Sequence, residues 1–297
     1  MFVIRWRARP TVLSRTGFSQ PSAMGVDYPR ITMVTPSYNQ VAFVRETIES
    51  VLCQRYPNLE YFVVDGGSTD GSWEILQEYT NQLDWWVSEP DSGQSQAINK
   101  GMARASGDFV AWLNSDDLLL PGALHQVASI VRKQPETDIV MGAILLGTGD
   151  GQIRSYYCPS RAPSWCAGRG ASDLLQPSTF IRRTTWLSAG GAREDLHCRM
   201  DVDLLFRLLK SGAKINYTQM PLSFMRVHPS RKGETLEPVY EKEREMWRAE
   251  TGYSRSQTLA ARVFRIFQKA MTGIYVWNAL QSYRFRGRYI SQLWEKE

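Results

Sequence analysis

The chain has 297 residues, 43% hydrophobic and 22% charged, which supports a packed core and excludes a disordered or fibrous chain. No window reaches the roughly 20 uninterrupted apolar residues of a spanning helix. The net charge of +5 sits at the two ends, with +4 in residues 1–30 and +6 in residues 254–297, so residues 31–253 carry −5 and no nucleic-acid partner is expected.

Residues 1–27 are Arg-rich and nearly free of acids, and they read as a disordered basic extension with Met24 just ahead of the first organised segment. Residues 31–35 (ITMVT) form a short apolar run, a buried strand that should stop at Pro36. Apolar positions 41, 44, 48, 51 and 52 then give a helical stripe over 41–54. A strand follows at 61–64, then a helix over 72–79 with Ser72 as its N-cap. Residues 85–87 predict a strand, 94–105 a helix, 109–113 a strand and 122–133 a helix.

Strand and helix thus alternate four times, the signature of βαβ units and a mostly parallel central sheet flanked by helices. Ligands in such sheets sit beyond the carboxyl ends of the strands. Those ends read Pro36-Ser37-Tyr38-Asn39, Asp65-Gly66-Gly67-Ser68, Glu89-Pro90-Asp91-Ser92-Gly93 and Asn114-Ser115-Asp116-Asp117, all polar and three with carboxylates. Past residue 140 the pattern loosens. A loop is expected at 147–151, strands at 152–158, 178–182, 215–220 and 223–227, and a Leu-rich helix over 201–210. Residues 28–253 read as one domain, followed by a basic amphipathic helical segment over 254–297.

Like charges in one cleft repel, so carboxylates gathered at strand ends need a reason. A hard cation, Mn²⁺ or Mg²⁺, held by Asp116 and Asp117 with phosphate oxygens and water, would supply one. The alternative for this Asp pair is a cap on the next helix. Asp65-Gly66-Gly67-Ser68 either brings backbone N–H groups close to a ligand or simply turns the chain. The sequence contains no G-x-x-x-x-G-K-[ST], no strand-to-helix G-x-G-x-x-G and no G-x-S-x-G. Cys53, Cys158, Cys166 and Cys198 form no C-x-x-C pair, and with three His in the chain they suit a reducing cytoplasm better than a zinc site or disulfides.

Six segments carry a resemblance: VTPSYNQ (34–40), VVDGGSTDGS (63–72), SEPDSGQSQAINKG (88–101), ASGDFVAWLNSDD (105–117), QPSTFIRR (176–183) and MDVDLLFRLLKSG (200–212). In order and spacing they resemble the inverting family 2 glycosyltransferases of the GT-A fold, the nucleotide-diphospho-sugar transferase fold. The resemblance implies that Pro36, Ser37 and Asn39 lie along the donor nucleotide. It also implies that Asp65 contacts the base, with Gly66, Ser68, Asp91, Asn114 and Ser115 lining the donor. Asn114-Ser115-Asp116 stands where the family has D-x-D, so Asp116, with Asp117 and His228, would hold the metal. Asp201 matches the family's catalytic base, while Asp203 reads as structural.

The implied reaction moves a sugar from a nucleotide-diphosphate donor, UDP-linked by family tendency, to the hydroxyl of a sugar or lipid-linked sugar. Attack in line opposite the diphosphate inverts the anomeric centre, as expected in polysaccharide or glycolipid assembly. The alternatives are a non-catalytic nucleotide-sugar-binding protein of the same fold and a sugar nucleotidyltransferase. Trp165 and Trp186 could stack on an acceptor sugar, whereas Trp85, Trp86 and Trp112 suit the core. The C-terminal segment could lie on anionic lipid, a peripheral contact with the inner face of the membrane, or pack as a helix on the domain.

Overall fold

The computed structural model describes residues 28–167, 169, 171, 173–229, 231 and 236–294, so the expectation for residues 1–27 lies outside the described residues. The first half alternates as its hydrophobic periods require: β1 (Ile31–Ser37), α1 (Val44–Leu52), β2 (Leu59–Asp65), α2 (Ser72–Glu78), β3 (Trp85–Ser88), α3 (Gln94–Arg104) and β4 (Phe109–Trp112). Next come β5 (Leu118–Leu119), α4 (Ala123–Lys133), β6 (Ile139–Thr148), β7 (Ile153–Tyr157), α5 (Ser164–Ala167), β8 (Thr179–Arg182), α6 (Arg183–Ser188), α7 (Met200–Lys210) and β9 (Ile215–Val227). The chain ends in four helices, α8 (Glu237–Thr251), α9 (Arg255–Met271), α10 (Ile274–Phe285) and α11 (Ser291–Trp294).

The strands share one sheet in the order β3-β2-β1-β4-β8-β6-β9-β5, with β7 on β6. The β3-β2-β1-β4 half is parallel, and so is the β6–β9 pair, while β5, β7 and β8 join antiparallel. Every residue of β1 is buried because helices cover both faces. Ile31 and Met33 pack with Ile48, Leu76 and Val127 on one face. Val34 packs with Ile98, Trp112 and Leu204 on the other. Each such side chain contributes about 1.5–3 kcal/mol on burial.

Several local expectations change. β1 continues through Pro36 to Ser37, because pairing with β4 stops at Val34–Trp112 and the missing proline N–H faces no neighbour strand. α1 starts at Val44, since the Gln40 carbonyl accepts from the N–H groups of Phe43 and Val44 in a preceding turn, leaving Val41 exposed. Ser72 is the first residue of α2 and Gly71 caps it at φ 99°. The Ser72 hydroxyl instead donates to Asp70 at 2.6 Å. β6 runs through the stretch after residue 140 where the sequence pattern loosens, and it takes in the first two residues of the loop expected at 147–151. The two strands expected at 215–227 are one, β9, with register shifts opposite Gly142 and Ala143 that accommodate Pro221. Asp116 and Asp117 do not cap a helix: β5 follows them directly, and α4 is capped by Gly122.

Candidate active site

The parallel register brings three strand ends level. Ser37 pairs with Asp65, and Asp65 with Ser88, so the turns after β1, β2 and β3 leave the sheet side by side. Beyond them opens a cleft of about 890 Å³. Its floor and walls include Pro36, Ser37, Gly66, Asp91, Asn114, Ser115, Asp116, Asp117 and Asp201, nine of the thirteen residues expected from the sequence.

The other four are not among its lining residues. Asp65 is fully buried and accepts hydrogen bonds from Ser68 N (2.8 Å), the Ser68 hydroxyl (2.5 Å) and the Ser88 hydroxyl (2.7 Å). Asn39, at φ 51°, donates its N–H to the Ser68 hydroxyl and accepts from Thr69 N. Asp65, Ser68 and Asn39 therefore tie the first two turns together. A Cβ on Gly66 would come within 2.8 Å of Asp91 Oδ2, so glycine there lets the second and third turns meet. His228, the fourth, backs Asp116.

Four carboxylates, Asp91, Asp116, Asp117 and Asp201, line the cleft, with Arg231 a cation on its wall. Asp116 Oδ2 lies 3.0 Å from His228 Nε2, and the His228 ring packs on Phe43. Asp117 turns inward: its Oδ1 accepts the Arg226 N–H at 3.1 Å. Burial, then the charge of Asp116, pushes its carboxyl well above the usual carboxylate range. Arg226 is fully buried, and it donates to the Asp116 carbonyl and pairs with Glu46.

Among the described residues no three His, Cys, Asp or Glu side chains gather tightly enough to hold a metal ion alone. Asp116 offers a carboxylate oxygen to a hard cation whose remaining positions would be filled by phosphate oxygens and water, with His228 Nε2 beside it. Asn114 serves differently from a carboxylate. Its Oδ1 accepts from Gln94 at 2.7 Å, its Nδ2 donates to Gln176 Oε1 at 3.3 Å, and Gln176 donates onward to the Trp112 carbonyl. An Asp at this position could not make the second bond.

Asp201 lies in the first turn of α7 and lines the cleft, with Val202 N donating to its Oδ1 at 2.7 Å. Burial pushes its carboxyl up, opposed by the Val202 hydrogen bond and the Arg199 charge. Asp203 is buried and bonded to Arg207 at 2.7 Å, which is a structural pair. Sequence reasoning missed what holds the Asp201 segment. Glu243, on α8 and 4% exposed, accepts from the N–H groups of His197 (2.6 Å), Cys198 (2.9 Å) and Arg199 (3.0 Å). It lies 42 residues beyond Asp201 on a helix of mixed charge, and nothing local marks it. Tyr240 and Leu236 reach the cleft from the same region. Trp186 is buried against Trp112, and Trp165 is exposed and packs on Phe264; neither lines the cleft.

This sheet, with its ligand cleft at level strand ends, is the GT-A fold of glycosyltransferases. S. aureus TarS 1-349, solved in complex with UDP-GlcNAc, superposes with a TM-score of 0.61 at 19% identity, over 80% of this chain and 73% of that one. The mannosyltransferase PcManGT from Pyrobaculum calidifontis, solved with GDP-Man and Mn²⁺, does so at 0.55 and 18% identity, over 92% and 89%. Residues 32–184 match the family described as Glycosyl transferase family 2. The O-antigen biosynthesis protein RfbC of Myxococcus xanthus is 31% identical over 202 residues, 65% of this chain and 16% of that protein. Two other curated relatives are matched over 35% and 36% of their own length. The chain belongs to glycosyl transferase family 2.

Proposed function

We propose that this chain moves a sugar from a UDP-linked donor to the hydroxyl of a sugar or lipid-linked sugar acceptor, with inversion, in polysaccharide or glycolipid assembly. The observation that carries the reading is the cleft itself, where Asp91, Asp116 and Asp201 line a space at level strand ends with Asp117 turned inward beside them. A diphosphate in such a place calls for positive charge, which Arg231 on the wall and a bound cation would supply. Asp116 and His228 would hold it, Mn²⁺ or Mg²⁺, and when bound it neutralises charge developing on the leaving diphosphate.

The strand-end turns bind and orient the nucleotide along Pro36, Ser37 and Gly66, with Asp91, Asn114 and Ser115 toward the diphosphate and sugar. Asn39, Asp65 and Ser68 fix the turns that shape this wall. Asp201 takes the proton from the acceptor oxygen as that oxygen bonds to the anomeric carbon and the diphosphate leaves from the opposite face. Burial holds Asp201 a better base than an exposed aspartate. The names of RfbC and of the TarS and mannosyltransferase complexes support an O-antigen-like product, a nucleotide-sugar donor and Mn²⁺. The enzyme works in the cytoplasm, in peripheral contact with the inner face of the membrane.

Asp201→Asn should bind donor and Mn²⁺ normally and lose turnover on the order of a hundredfold or more. Near-normal turnover, or donor affinity collapsing with rate, would remove Asp201 from this role. Absence of Mn²⁺-dependent donor hydrolysis by the unaltered chain would favour a binding protein.

A further inference from the structure

α9 is inside out. Its protein-facing side carries Thr258, Ala261 and Arg265, with Lys269 half-buried. Arg265 and Lys269 reach Asp173 at 2.8 and 2.5 Å, so the inner contact is ionic. Its outer side presents Leu259, Val263, Ile266, Phe267 and Met271, from 57% to 73% exposed. Leu259, Val263, Phe264 and Phe267 line one shallow open hollow. α10 is mixed: Ile274 and Phe285 pack against the core, yet polar groups also turn inward. Asn278 and Ser282 turn inward and bond to the backbone of Cys158 and Tyr156, while Val276, Leu280 and Tyr283 are exposed.

A water-facing helix normally shows the opposite pattern, and a contiguous apolar face marks a contact surface. Charge selects the occupant. Residues 254–294 contain seven Lys or Arg and no Asp or Glu; Arg265 and Lys269 are taken up by Asp173 and Arg255 by Glu245, and Arg262, Arg284, Arg286 and Arg288 are exposed. Near the start of α9, partial burial and then the charges of Arg244, Arg255 and Arg262 lower the Arg248 pKa, a sign of crowded cations. A two-fold contact through these helices would bring the same exposed cations of two copies together. Among the described residues no helix is long and apolar enough to cross a membrane. An anionic bilayer surface suits both features, taking the apolar side chains into the headgroup boundary and the cations onto lipid phosphates.

We propose that the outer face of α9, aided by α10, docks this enzyme on an anionic lipid bilayer. The proposal deepens the peripheral contact in the functional reading above, and its failure is separable because donor binding is read on the same protein.

The test is cosedimentation of the full chain with phosphatidylcholine vesicles containing about a third phosphatidylglycerol. Binding should be strong at low salt and weaken as salt screens it. Vesicles of phosphatidylcholine alone should bind far less. The double variant Ile266→Ser/Phe267→Ser should lose about tenfold or more in vesicle affinity, with unchanged melting temperature and unchanged Mn²⁺-dependent UDP affinity. No binding to anionic vesicles at low salt, equal binding to neutral ones, or equal binding by the variant would overturn the proposal. So would a dimer in light scattering that the same substitutions dissolve. Vesicle binding without UDP binding would leave this proposal standing and remove the donor reading.

Discussion

Glu243→Gln tests how the segment bearing Asp201 is held. The glutamate is 4% exposed and receives three backbone N–H groups, His197 on one oxygen and Cys198 with Arg199 on the other. Glutamine keeps the shape but has one acceptor oxygen. If that oxygen stays with Cys198 and Arg199, the amide NH₂ meets the His197 N–H, donor against donor. A bond to a charged group contributes about 1.5–3 kcal/mol, and a stranded buried donor costs about 1–3 kcal/mol. These overlap for one bond, and the other two weaken as the charge is lost, so destabilisation on the order of 2–4 kcal/mol is expected. Thermal melting should fall by roughly 5–15 °C. Because Asp201 lies two residues beyond Arg199, turnover at a temperature where the variant is folded should fall about tenfold or more, with donor KM within about twofold. A lowered melting temperature with native kcat would show Glu243 to be scaffold only. Native values of both would refute the reasoning outright.

Asp116→Ala should abolish Mn²⁺-dependent binding of UDP while leaving the melting temperature near native, and unchanged calorimetric affinity would remove Asp116 as a metal ligand. Asp201 carries a pH signature. Its folded pKa is raised above 3.8, so the folded state keeps a proton that the unfolded chain has released. Its contribution to stability therefore falls as pH rises from 3.8 through the raised value, and stays lost at neutral pH. Asp201→Asn should melt higher than the unaltered chain at pH 7, the difference vanishing at acid pH, and equal melting across the range would contradict burial as the cause. Gly66→Ala pushes a methyl to within 2.8 Å of Asp91 Oδ2. Asp91 is a movable side chain, so melting should change little while donor KM rises several-fold; an unchanged KM would show that the Asp91 position does not matter to the donor.

The alternation over residues 31–133 was legible because each strand is a short apolar run and each helix a periodic stripe, signals that need only neighbours in sequence. The polar strand ends were legible for the same reason, and the family motifs name Asp116 and Asp201 from local spacing alone. Pairing decided the rest. β6 is an apolar run as well, but its partners are β8 and β9, strands some forty and eighty residues away, and only pairing with them fixes its extent. That Asp65, Ser68 and Asn39 bond one another was not legible, because a strand-end carboxylate takes the nearest donors and only the packed turns determine which those are. Asn114 became an amide in a chain of amides only when Gln94 and Gln176 converged on it from two other segments. The role of Glu243, and the choice between lipid and protein for the apolar face of α9, were left open by the sequence for one reason. A sequence shows that a side chain is charged or apolar, whereas which face of its helix meets the protein is set by contacts with distant residues such as His197 and Asp173.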